Sequence, residues 1–250
     1  MTHTPLYALD FDGVICDSAL ETGMAGWKAA LQIWDDMPPQ QPPAISVQFQ
    51  QARPILETGY EAILIMRLLF QGETVADILA NFADQKPAVI ASTKMTVSAL
   101  KQLFSTTRDT WIENSLAEWL HLNPLFRGVA EKLTTLNQQG LWYILTTKQE
   151  RFVTQILNAN QIFIPEQHIY GLDSKINKHD ALTTLVKRHP DTKIIFIEDR
   201  LPALLSVKAH PKLQALTLQL ADWGYNTPQD RQEAKQAGIT IISLDNFITN

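Results

Sequence analysis

Apolar positions follow one spacing in the first half of the chain and another in the second. Leu6, Tyr7, Ala8 and Leu9 form a short apolar run suited to a buried strand. The run stops at Asp10-Phe11-Asp12-Gly13, a turn signal. The spacing then becomes helical, with Leu20, Met24, Trp27, Leu31 and Trp34 three or four residues apart on one helix face. Pro38, Pro39, Pro42 and Pro43 break that pattern. Helical spacing returns in residues 60–70, 75–82 and 97–120, and no convincing strand signal falls between 18 and 121.

From Asn123-Pro124 onward, strand-like runs alternate with helical ones. Strands are expected at 141–145, 194–197, 213–218 and 239–242, and helices at 152–157, 181–186 and 201–207. Such alternation predicts crossover units and a parallel sheet. The simplest arrangement is one α/β domain built from residues 1–17 and 124–250. An all-helical domain, 18–123, is inserted after the first strand. There is no internal repeat.

The length of 250 residues suits one large domain or two small ones. With 45% apolar and 19% charged residues the chain is expected to fold around a real core. A net charge of −5 argues against nucleic acid as a partner, because a nucleic-acid groove needs a basic stripe. The most apolar run, 62–70, is interrupted by Arg67 and is far shorter than the roughly 20 residues of a membrane span. Asp10 and Asp12 precede any long apolar region, unlike a signal peptide. No membrane partner is expected, and a cytoplasmic location is. Cys16 is the single cysteine, so no internal disulfide can form.

Ligands of open α/β sheets bind at the carboxyl ends of the strands. Polar residues there come in four groups: Asp10 and Asp12; Thr146, Thr147 and Lys148; Lys175 and Lys178; and Glu198 with Asp199. Asp10 and Asp12 are two apart, so extended geometry points them the same way. Together with Glu198 and Asp199 they would crowd four carboxylates. Two such charges at about 4 Å repel by about 4 kcal/mol at an effective dielectric of 20. Something positive must compensate. Oxygen ligands of this type suit Mg²⁺, completed by waters and a substrate phosphate. With a lysine and a strand-end hydroxyl, the set matches a phosphoryl-transfer site.

The run LDFDGVICDS resembles the first signature of the haloacid-dehalogenase-like (HAD) hydrolase superfamily, and three further signatures follow in the family's order. Thr146 after its apolar strand resembles the second. Lys178 opening a helix resembles the third, in preference to Lys175. Ile197-Glu198-Asp199 resembles the acidic fourth. The inserted helical segment resembles the cap of the phosphoglycolate phosphatase and β-phosphoglucomutase branch, and Phe126-Arg127-Gly128-Val129 resembles the return to the core. The resemblance implies a Rossmann-like parallel sheet core carrying a helical cap. It also implies a Mg²⁺-dependent phosphatase acting on a small phosphorylated metabolite, as a monomer or homodimer.

In that reading Asp10 attacks phosphorus, and Asp12 protonates the leaving alcohol and later activates water. Thr146, Thr147 and Lys178 hold phosphoryl oxygens. Mg²⁺ sits on Asp10, Glu198, Asp199 and the backbone carbonyl of Asp12. Arg53, in the polar turn before residue 60, is a candidate for meeting a second anionic group of the substrate. Its plainer role is a salt bridge within the cap. Two positions depart from the family's pattern. Ala203 stands where many relatives have a further aspartate, and Thr147 where an asparagine is common.

Two other readings are open: a phosphomutase resembling β-phosphoglucomutase, and a non-catalytic binding protein on the same scaffold. Cys16 reads as a small packed residue, the tryptophans as core, and the six histidines show no metal-ligand spacing.

Overall fold

A computed structural model describes residues 4–249 of the chain. Strand β1 (Leu6–Leu9) opens it. Five helices follow: α1 (Ala19–Ala30), α2 (Pro43–Ala52), α3 (Glu61–Phe70), α4 (Val75–Thr93) and α5 (Val97–His121). Next come α6 (Val129–Gln139), β2 (Trp142–Leu145), α7 (Glu150–Ala159), β3 (Ile169–Tyr170) and α8 (Lys178–Arg188). The chain continues through β4 (Ile194–Glu198), α9 (Leu201–Ala209), β5 (Thr217–Ala221), α10 (Pro228–Gln236), β6 (Thr240–Ile242) and α11 (Leu244–Thr249). The described chain divides into two compact units. One joins the residues up to Asp17 with those from Pro124 onward, and the other is Ser18–Asn123.

The first unit is built on a six-stranded sheet in the order β3-β2-β1-β4-β5-β6, with every pairing parallel. All five residues of β4 and all four of β2 are buried, the near-continuous burial of strands covered by helices on both faces. β1 pairs with β2 on one side and β4 on the other, with Leu9 in register with Ile197. The strand order reverses direction at β1, a switch point beyond whose strand ends α/β sheets bind ligands.

The expected strand 213–218 lies later in the chain. Residues Pro211–Leu213 form a 3₁₀ turn, and β5 begins at Thr217. The pairing of Ile195 with Thr217 and of Glu198 with Leu220 fixes that register, so polar Gln219 lies inside the strand. α10 and α2 are among the helices that fall outside the expected segments. α10 buries only Ala234 and is held by a capping box, in which Thr227 accepts from the Asp230 N–H and Asp230 accepts from the Thr227 N–H. α2 starts within the proline cluster, with Pro43 in its first turn, where the missing N–H costs nothing.

The second unit is all helix and turn, and Glu21 on α1 is fully buried in it. Arg108 on α5 grips both its oxygens (2.7 and 3.0 Å), and Trp119 Nε1 donates to Oε1 at 2.9 Å. Among the described residues no helix is long and apolar enough to cross a membrane.

Removing one member of a buried ion pair leaves the other charge uncompensated. Glu21→Gln is therefore expected to destabilise the helical unit by roughly 3 kcal/mol or more. Urea unfolding followed by circular dichroism reads this as a lowered midpoint at unchanged slope.

Candidate active site

The register of β1 against β4 places the site. Asp10 N–H donates to Ile197 O at 2.9 Å, so the residue after β1 lies beside the end of β4. There Asp10, Glu198 and Asp199, all buried, bring carboxylate oxygens within 4.8 Å of one another. Lys178, the first residue of α8, spans two of them. Its Nζ donates to Asp10 Oδ1 at 2.7 Å and to Glu198 Oε2. Asn177 caps α8 by accepting from Asp180 N–H at 2.9 Å, which sets where the helix begins and where Lys178 leaves it.

The expected crowd of four carboxylates is three. Asp12, past the end of β1 and just before the turn at Gly13 (φ +91°), lies outside that cluster, though near enough for its charge to help raise Asp10. Its carboxylate pairs instead with Lys148 Nζ at 2.9 Å. The Lys148 side chain is only 3% exposed and that of Asp12 is 18% exposed. Two lysines thus answer the acids, Lys178 from the start of α8 for Asp10 and Glu198, and Lys148 from beyond β2 for Asp12.

The other expected site residues fall as follows. Thr146 is buried, and its Oγ1 accepts the Lys148 N–H at 3.1 Å. Thr147 is exposed between these buried neighbours. Lys175 is exposed in the loop before α8. Arg53 belongs to the helical unit, where it is 7% exposed and its guanidinium lies 3.5 Å from Leu56 O.

Loops away from these strand ends complete the geometry. Glu150, at the start of α7, accepts N–H groups from Gly171, Asp173 and Ser174 at 2.8–2.9 Å, holding the loop that leads to Lys178. The loop after β5 packs on Asp199. Tyr225 N–H donates to Asp199 Oδ2 at 2.7 Å, and Asn226 Nδ2 donates to Asp199 O at 2.9 Å. Gly224 is required there, because a Cβ would lie 2.3 Å from Asp199 Cβ and 2.4 Å from Gly13 O. Asp199 Oδ1 has no hydrogen-bond partner among the described residues.

The electrostatics follow from burial. Desolvation, aided by Glu198, pushes the Asp10 carboxyl up to about 7 against the pull of Lys178. Desolvation, then Glu198 and Asp10, drive Asp199 well above the usual carboxylate range. Burial opposes charge on Glu198 as well, but Lys178 outweighs it and holds Glu198 below its usual value. For Lys178 itself, burial is outweighed by Asp10 and Glu198, and the ammonium is held above its usual value. One lysine cannot neutralise three carboxylates, so the site either retains protons or takes up a cation. Hard oxygen donors with one buried oxygen unpartnered fit a divalent ion of the Mg²⁺ type.

In the sequence Lys148 is named at its strand end but given no role, and Gly224, Tyr225 and Asn226 are not read as site residues. The signal for Lys148 was the period of two after a buried strand, Thr146 and then Lys148. The loop after β5 was hidden by the misplaced strand: Asp222-Trp223-Gly224-Tyr225 follows directly once β5 ends at Ala221.

The fold resembles solved structures over nearly the whole chain. A predicted phosphoglycolate phosphatase from Haemophilus somnus is 17% identical with a TM-score of 0.60, covering 99% of this chain and 96% of that one. A haloacid-dehalogenase-like hydrolase from Streptococcus pneumoniae is 16% identical with a TM-score of 0.59, covering 98% and 95%. A predicted phosphatase from Clostridium acetobutylicum is 17% identical with a TM-score of 0.56, covering 99% and 97%. No family model and no curated protein matches the sequence. The chain has the fold of the HAD-like hydrolases.

Burial raises the Glu150 carboxyl, but four backbone hydrogen bonds outweigh it and hold it below its usual value. A depressed folded-state pKa stabilises the protein above the unfolded value, and that stabilisation is lost as pH falls through the folded one. The urea midpoint of Glu150→Ala is therefore expected to lie below that of the native protein above the ordinary glutamate value, and the gap should narrow as pH falls below it. Parallel unfolding curves on either side of that value check this.

Proposed function

We propose that the protein is a Mg²⁺-dependent phosphatase that hydrolyses a small phosphorylated metabolite through an aspartyl phosphate. The observation that carries this reading is Lys178 bridging Asp10 and Glu198 beside an Asp199 oxygen left without a partner. A buried nucleophilic carboxylate, a cation beside it and a vacant hard-oxygen position are what transfer of a phosphoryl group to a side chain needs. Neighbouring structures titled as predicted phosphatases and phosphoglycolate phosphatases support a small phosphorylated substrate.

In the first step an Asp10 carboxylate oxygen attacks phosphorus, the bond from phosphorus to the ester oxygen breaks, and the leaving oxygen takes a proton from Asp12. Thr146 and Lys178 hold phosphoryl oxygens, with Thr147 at the rim. In the second step water attacks the aspartyl phosphate and passes its proton to Asp12. The bond from phosphorus to Asp10 breaks and inorganic phosphate leaves. Partial exposure of the Asp12 side chain and its contact with Lys148 support its role in these proton transfers. Asp10, Glu198, Asp199 and the Asp12 carbonyl would hold Mg²⁺, which supplies charge neutralisation at the transferring group.

Release of inorganic phosphate from a panel of phosphomonoesters, including phosphoglycolate and hexose phosphates, tests the reading. Turnover is expected with Mg²⁺, none with EDTA, and background rates from Asp10→Asn. A mutase would convert hexose phosphates with little phosphate released. Undiminished hydrolysis by Asp10→Asn would overturn the mechanism.

A further inference from the structure

Asp199, the residue after β4, is oriented by the loop that follows β5. Residues 222–226, after β5, reach across and fasten it at two points: Tyr225 N–H on Oδ2 at 2.7 Å and Asn226 Nδ2 on the backbone carbonyl at 2.9 Å. Asn226 Nδ2 also donates to Ala221 O at 2.8 Å, and Arg231 anchors Asn226 Oδ1 at 2.8 Å. The same loop is tied to the segment carrying Asp10. Trp223 Nε1 donates to Val14 O at 3.1 Å, and Tyr225 hydroxyl donates to Asp17 Oδ1 at 2.9 Å. Gly224 permits the approach, as its backbone lies where any side chain would collide with Asp199 and Gly13.

One oxygen of Asp199 is thereby committed to a backbone N–H, and Oδ1 is the oxygen left for a metal. The other two acids are also engaged in advance. Glu198 accepts from Lys178 on Oε2 and from Arg200 N–H on Oε1, and Asp10 accepts from Lys178 on Oδ1. Carboxylates fixed in this way favour single-oxygen ligation. Ca²⁺ takes six to eight oxygens and often a bidentate carboxylate, whereas Mg²⁺ needs a near-octahedral shell at about 2.1 Å. Position 203, one turn into α9, is an alanine and adds no further carboxylate.

We propose that the 222–226 loop determines metal affinity and selectivity, locking Asp199 into single-oxygen ligation so that the site takes a small octahedral ion and rejects Ca²⁺. Gly224, Tyr225 and Asn226 are positioning residues, acting through Asp199. The inference rests on the reading of Asp199 as a metal ligand.

The test is Mn²⁺ binding followed by electron paramagnetic resonance, with Ca²⁺ as competitor and without any substrate. The native protein is expected to bind Mn²⁺ far more tightly than Ca²⁺. Asn226→Ala and Gly224→Ala should weaken Mn²⁺ binding by about 10–100-fold, the usual effect of losing a partner behind a ligand. Ca²⁺ should lose less, narrowing the preference. Urea unfolding in EDTA identifies any variant that has not folded, in which case the other decides. Arg127→Ala, in an exposed pair with Asp245, should behave as native. Native affinity and native preference in both folded loop variants would overturn the inference. Asp199→Asn separates the two levels, because native Mn²⁺ binding in that variant would overturn the metal site itself.

Discussion

Three buried carboxylates within 4.8 Å of one another repel, and the site exists because Lys178 lies between two of them. At separations of about 4 Å each like-charge pair costs about 4 kcal/mol at an effective dielectric of 20. One ammonium removes part of that cost and leaves the rest as a drive to bind a cation. The same arrangement explains why the acids differ. Glu198 keeps its charge beside Lys178, while Asp10 and Asp199 are pushed up. Asp12 lies outside the cluster and pairs with Lys148, while its charge still adds to the rise of Asp10.

The scaffold exists to hold these groups at one rim. Parallel pairing places the ends of β1 and β4 side by side, so the register of Leu9 against Ile197 also brings Asp10 to Glu198. Lys178 comes from a loop that Glu150 grips through three backbone N–H groups. Asp199 is fixed by a loop from the next strand along. The Glu198 and Asp199 carboxylates therefore depend on backbone amides as much as on their own rotamers, and amides are rigid donors that cost little to reorganise.

The parallel sheet, the helical insertion, and Asp10, Thr146, Lys178, Glu198 and Asp199 at strand or helix ends were legible because burial imposes its period on the chain. β4 is unmistakable for that reason. α1 forms where helical spacing placed a helix, but on another face. It buries Glu21, Gly23, Ala25, Gly26 and Trp27, while Leu20 is exposed, Met24 half-buried, and Leu31 and Trp34 lie past its end. α10 was not legible, since it buries one alanine and is stabilised by a capping box. β5 was displaced because Gln219 lies within it and register against β4 decides its position. The pairing of Asp12 with Lys148 and the grip of Tyr225 on Asp199 join residues 136 and 26 positions apart. Contacts at such separations leave no local pattern to read.

The most direct test is a crystal structure grown with Mg²⁺ and trifluoroberyllate, a mimic of a phosphoryl group on a carboxylate. The account predicts trifluoroberyllate on Asp10, with Lys178 and Thr146 on its fluorines and the ion held by Asp10, Glu198 and Asp199. An Asp10 left bare and still bound to Lys178, with Mg²⁺ elsewhere, would contradict it.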